Sequence, residues 1–154
     1  MTNRPLIETD DAALMDAFGI TLEAVTILGR AFDRSLREEV GISSGWFEAL
    51  LRLHRHGEPM ATGQLGDQLA LTSGGATRLV DRLEQEGLVE RRPCPDDRRV
   101  HFVALTDEGE GMLADALEVH LADLRSLFGD RTSAADRADL IRICDELRTP
   151  PDGS

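Results

Sequence analysis

The chain contains no lysine and no tyrosine, and only one tryptophan, two cysteines and 4% aromatic residues in 154. Each scarcity excludes something. Cys94 and Cys144 lie far apart and match neither a disulfide framework nor a metal-ligand spacing. Cys144 shares an apolar helical face with Ile141 and Leu147 and is expected in the core. Cys94 is expected at the surface, and Asp96 and Asp97 offset the arginines around it, so no redox role is assigned to it. There is no uninterrupted apolar run of membrane-spanning length, and Met1 to Thr9 is short and polar. Neither a membrane span nor a secretory leader is therefore expected, and the chain reads as cytoplasmic. His54 and His56 point about 200° apart on a helix, and His101 and His120 are remote in sequence, so no metal site is expected. No nucleophile with its base, paired catalytic carboxylates or phosphate loop has a recognisable spacing, so neither an enzyme nor a cofactor is expected. Gly74-Gly75 beside a helix start could cradle an anion, and a DNA phosphate would serve as that anion.

What is present is ordinary for a globular domain: 41% hydrophobic and 30% charged residues. The length suits one domain or a compact two-part unit with a real core. A net charge of −12 argues at first against nucleic acid, whose partners are usually basic. Its distribution is uneven. Residues 74–99 carry six Arg against six acids, so this segment is neutral while the remainder holds the negative excess. An acidic body reduces non-specific attraction to DNA and leaves binding to local arginines. All 17 basic residues are Arg, the better bidentate donor to phosphate and guanine, although a biased gene composition accounts for absent Lys as readily.

Thr72 to Thr106 organises the rest. Ala76, Leu79, Val80 and Leu83 recur at helical period, and the opposite face carries Gly74, Thr77, Arg78, Asp81, Arg82 and Gln85. Thr72 is placed to cap this helix and Gly87 to end it. Leu88 to Arg92 then reads as a strand, Pro93 to Asp97 as a turn, and Val100 to Leu105 as the returning strand. Upstream, Leu65 to Leu69 forms a short helix joined through Ala70-Leu71. Two short helices so joined make a helix-turn-helix whose second member enters the major groove, and the hairpin adds a wing. On this pattern alone, a small α/β element with solvated charges remains an alternative to DNA binding.

The run from Leu65 through Thr77-Arg78-Leu79-Val80-Asp81-Arg82-Leu83-Glu84, Gly87 to Arg92, Asp97-Arg98-Arg99, Leu105-Thr106 and Gly109 resembles the MarR family of winged-helix transcriptional regulators. The resemblance spans about residues 11 to 148, and the Asp-x-Arg at the wing tip followed by Leu-Thr is its most specific part. It implies a mainly α fold with a small β wing, dimeric through long N- and C-terminal helices. It also implies a recognition helix in the major groove and wing arginines in the minor groove. Residues expected at DNA are therefore Thr72, Ser73, Gly74, Gly75, Thr77, Arg78, Arg82, Arg91, Asp97, Arg98 and Arg99. Gly74 and Gly75 stand where relatives usually carry hydroxyl groups, which favours close backbone approach over hydroxyl contacts there. Ala70 stands where the turn often has glycine.

The expected division is an N-terminal dimerisation helix over 1–42, a winged helix-turn-helix over 43–106 and C-terminal dimerisation helices over 107–154. The first helix carries Leu14, Phe18, Leu22, Val25, Leu28, Phe32 and Leu36 on one stripe, sustained beyond the width of so small a domain. A partner subunit is the natural cover. Trp46, Leu50 and His54 are candidates for a ligand pocket, and the resemblance implies a small aromatic or anionic effector. The expected partners are thus double-stranded DNA and a second copy of the chain, together with the effector that the resemblance implies, and no membrane. The function expected is sequence-specific regulation of transcription, most often repression, at a pseudo-palindromic operator. The alternative is a winged-helix protein-binding module, which has no need of Arg91, Arg92, Arg98 and Arg99 around one turn.

Overall fold

A computed structural model describes residues 9–93 and 101–149. The wing-tip residues Cys94, Asp97, Arg98 and Arg99, the lead before Thr9 and the tail after Thr149 lie outside the described residues.

Helix α1 spans Thr9–Glu39, and α2 spans Ser44–His56. Gly41 separates them at φ 76°, the left-handed conformation that ends a helix at little cost only for glycine. The junction is fastened by Asp33, whose carboxylate accepts from the Ser44 backbone N–H at 2.8 Å and hydroxyl at 3.0 Å. Its other oxygen accepts from Arg37 Nε at 2.6 Å. That arginine first, and the Ser44 amide second, hold the Asp33 carboxyl below its ordinary range. Ser43 caps α2 by accepting from the Trp46 N–H.

Strand β1 (Met60–Ala61), α3 (Thr62–Gln68) and α4 (Ser73–Gln85) follow. Strands β2 (Val89–Pro93) and β3 (His101–Leu105) complete an antiparallel sheet of order β1-β3-β2. The two-stranded wing read from sequence is thus one strand larger. Met60-Ala61 pairs with Val103 and Phe102, and two residues are too few to show alternation. The turn before α4 contains Ala70 at φ 52°, a left-handed conformation that costs alanine about 1–2 kcal/mol. Ala70→Gly is expected to raise unfolding free energy by about 0.5–1 kcal/mol after the flexibility of glycine in the unfolded chain is charged against it. Urea denaturation showing no gain would mean the turn is not strained.

Helix α5 (Asp107–Asp123) begins at Thr106, whose hydroxyl accepts from the Gly109 N–H at 3.0 Å. A π-helical turn over Leu124–Phe128 and a 3-10 turn over Gly129–Arg131 break the helical run, and α6 (Ala134–Arg148) starts with a Ser133–Asp136 capping box. One core joins Leu36, Phe47, Leu50, Met60, Leu65, Val80, Leu83, Val89, Val103 and Leu113. It crosses all three expected segments, so the lower end of α1 and the first half of α5 belong to the same packed body as the wing.

The outer parts of the terminal helices are not packed within the chain. Leu36 is buried, whereas Leu14, Phe18 and Val25 are 65–70% exposed. Alpha-6 buries none of its residues, and Cys144 is exposed. The expectation of a core cysteine is therefore corrected: helical periodicity identifies an apolar face but not the body that covers it. The first helix is also apolar on average. An 18-residue window of α1 reaches mean hydropathy 1.5, long and apolar enough to cross a membrane, and none of it is buried. Asp16 and Glu23 interrupt the apolar residues without lowering that average below a membrane-spanning value.

Candidate nucleic-acid interface

Helix α4 is held by its inner face and capped at its start. Ala76, Val80 and Leu83 are buried in the core, and Thr72 Oγ1 accepts from the Gly75 N–H at 3.2 Å. Gly66 on α3 lets the helices meet closely, because a Cβ there would lie 2.8 Å from Ala76 Cβ. The outer face presents Ser73, Gly74, Thr77, Arg78 and Arg82 to solvent, with Gly75 half-buried. The Thr77 hydroxyl donates back to Ser73 O at 3.0 Å, which leaves its oxygen lone pairs outward. Among the described residues Arg78 and Arg82 make no ion pair. Two guanidiniums one helical turn apart thus stand on a helix that is capped at its start and buried along its inner face.

The arginines of β2 behave differently. Arg91 was expected among the DNA contacts, and here it is turned into α4. Its Nη2 donates to Asp81 Oδ1 at 2.6 Å and its Nη1 to Glu84 Oε2 at 2.5 Å, while its backbone N–H donates to Glu84 Oε1 at 3.2 Å. A longer contact reaches Thr77 O at 3.5 Å. Burial alone would lower the Arg91 pKa, and the hydrogen bonds it donates to Asp81 and then Glu84 outweigh burial and raise it. Arg92 pairs with Glu90 on its own strand. Expectation and structure part here because the partners of Arg91 lie seven and ten residues away across a turn, beyond the i+3 and i+4 spacings by which helical pairs are read. Asp81 and Glu84 are the functional candidates missed, and the alternation of the strand, which sends Arg91 and Arg92 to opposite faces, was the available signal.

The base of the wing is tied to α5. Thr106 N–H donates to Leu88 O at 3.2 Å and its hydroxyl to Gly87 O at 2.6 Å. Thr62 Oγ1 donates to His101 O at 3.2 Å, fastening α3 to β3.

The three residues expected to wall one pocket go three ways. Leu50 is fully buried in the core. His54 faces α5, with Nδ1 2.8 Å from Glu110 Oε2. Half-buried Trp46 lines a cavity of about 480 Å³ between the start of α2 and α4, with Ser43, Leu69, Leu71, Leu79, Arg78 and Arg82. Steps of four residues drift about 40° each around a helix, and α2 is thin enough that this drift crosses from one neighbour to another.

The profile of the MarR family matches residues 42–101. The HTH-type transcriptional regulator MhqR of Bacillus subtilis is 35% identical over 116 residues, which cover 70% of this chain and 78% of that one. The chain belongs to the MarR family. The HTH-type transcriptional regulator PecS of Dickeya dadantii is 33% identical over 129 residues, covering 80% of this chain and 77% of that one. Among solved structures, the MarR family regulator Sco3205 of Streptomyces coelicolor in complex with DNA shares the fold at TM-score 0.83 and 24% identity, over 100% of this chain and 96% of that one. A cysteine-to-serine mutant of MarR from E. coli, complexed with operator DNA, follows at TM-score 0.71 and 25% identity, over 82% and 92%. This MarR-family protein is therefore a winged-helix, DNA-binding transcriptional regulator.

Proposed function

We propose that the protein is a homodimeric repressor that reads a pseudo-palindromic operator with α4 in the major groove and the wing in the adjacent minor groove. The observation that carries this reading is the outer face of α4, where Arg78 and Arg82 project from a buttressed helix without acidic partners among the described residues. Thr72, Ser73, Thr77 and the Gly74-Gly75 backbone supply donors and close approach around them, and Asp97, Arg98 and Arg99 are assigned to the minor groove. Residues 43–106 form the DNA-binding unit, and the flanking segments 1–42 and 107–154 the dimer.

A second copy of the chain is the proposed cover for α1. Its exposed apolar stretch is continuous with the buried Leu36, and α6 offers a second exposed apolar stripe at Leu140, Ile141 and Leu147. A water-soluble DNA-binding body on the same helix makes a protein partner the fitting occupant rather than a bilayer. Two copies then place two recognition helices on one face of DNA about one helical turn apart.

The cavity beside Trp46 suits a small aromatic anion, because an indole face and two guanidiniums line it. An occupant there would engage Arg78 and Arg82 themselves and so bind in competition with DNA. Two of the four wing arginines that count against the protein-binding alternative, Arg91 and Arg92, are paired with acids, so the preference for DNA rests on the outer face of α4.

Arg78→Ala tests the assignment. Operator affinity is expected to fall by about 1–3 kcal/mol, with relaxed preference at one symmetric base pair. Unchanged affinity and an unchanged selected consensus in fluorescence anisotropy would remove Arg78 as a reader.

A further inference from the structure

We propose that Arg91 is a positioning residue for DNA binding: with Asp81 and Glu84 it clamps the β2–β3 hairpin to the recognition helix so that both elements meet DNA in one fixed spacing. The inference rests on the reading of α4 and the wing as the DNA-contacting elements. Three features of the geometry support it. The Arg91 side chain is only 22% exposed, and both of its terminal nitrogens are committed to carboxylates of α4. The strand's own backbone joins the clamp, because Glu84 accepts from the Arg91 N–H as well as from its guanidinium. Through Thr77 O, Asp81 and Glu84, the contacts extend along α4 for about two turns, so they fix its tilt as well as its distance from the hairpin.

The clamp also solves an electrostatic problem. Asp81 and Glu84 place two carboxylates beside the helix that must approach phosphates, and a lone arginine engaged by both leaves them less repulsive than they would be free. A planar guanidinium spans two carboxylates in a way that an ammonium cannot. Arg91 therefore acts on DNA through α4 and the hairpin rather than by contact.

The sign of one substitution separates the clamp from direct contact. If Arg91 touched phosphate, Asp81→Asn would release it, remove a repelling charge and tighten binding. With the clamp, Asp81→Asn weakens binding despite the lost negative charge. The experiment uses a duplex selected by the wild-type chain from a random pool, and compares wild type, Asp81→Asn, Arg91→Met and the double variant at a temperature where circular dichroism shows all folded. The expected result is that each single variant binds about fivefold or more weakly, and that the double variant is no weaker than Arg91→Met, since coupled neighbours are not additive. Hydroxyl-radical protection at the flanking minor grooves is lost while protection in the region covered by α4 remains. Tighter or unchanged binding by Asp81→Asn, additive losses, or a lowered thermal midpoint with affinity and footprint intact would each overturn the clamp. If wild type protects its duplex but Arg78→Ala binds as well as wild type, Arg78 is not a reader, and the Asp81→Asn result still decides the clamp. No protection by wild type overturns both.

Discussion

Replacing Gly109 with alanine is expected to lower the unfolding free energy by about 3 kcal/mol or more, because its added methyl would meet the closest contact among the described glycines. A Cβ at Gly109 would lie 2.0 Å from Leu88 O, 3.0 Å from its carbonyl carbon and 3.2 Å from Leu105 Cδ2. The first two are backbone atoms, and neither can swing away as a side chain would. Leu88 O is engaged by the Thr106 N–H, and Gly87 O by the Thr106 hydroxyl, so a shift would break the tie between the wing and α5. A control is available on the same helix. Gly111 has nothing within 4 Å of its built Cβ, and Gly111→Ala is expected to stabilise by up to about 1 kcal/mol through helix propensity. Urea denaturation of the two variants separates a steric cause from a general sensitivity of α5. Losses below about 1 kcal/mol at Gly109 would show that the junction adjusts.

The second large effect is on assembly. Phe18 and Val25 are each 65% exposed in the isolated chain, and the proposed dimer buries them. Phe18→Glu with Val25→Glu is expected to remove about 1.5–3 kcal/mol of apolar burial at each of four sites per dimer and to place unpaired carboxylates in the interface. Light scattering should then report the 16.9 kDa monomer where wild type gives twice that mass. Operator affinity should fall by orders of magnitude, because a single recognition helix loses the linked second half-site. A variant that stays dimeric would place the interface elsewhere, and a wild-type monomer would remove α1 from the dimer altogether.

The elements of the reading unit were legible because local chemistry specifies them. Thr72 caps its helix as its position implies, and Gly87 at φ 74° ends the recognition segment. The apolar spacing of Ala76, Val80 and Leu83 gave the inner face of α4 and, by subtraction, its outer face. What was not legible depends on contacts between distant segments. Nothing in the spacing of Arg91 tells whether its guanidinium faces DNA or Asp81, since both outcomes use the same charged side chain. Trp46, Leu50 and His54 fall at helical spacing yet face α4, the core and α5 in turn. The face of α6 that contains Cys144 is apolar in the sequence and uncovered in the isolated chain for the same reason. A periodic stripe reports that water is to be excluded, and only a tertiary or quaternary partner determines by what.

Selection of duplexes from a random pool by the wild-type chain, followed by native mass measurement of the complex, tests the central claim most directly. The account predicts an enriched inverted repeat with half-sites about 10 bp apart, occupied by two chains. Enrichment of a single unrepeated half-site bound by one chain, or no enrichment above the starting pool, would contradict it.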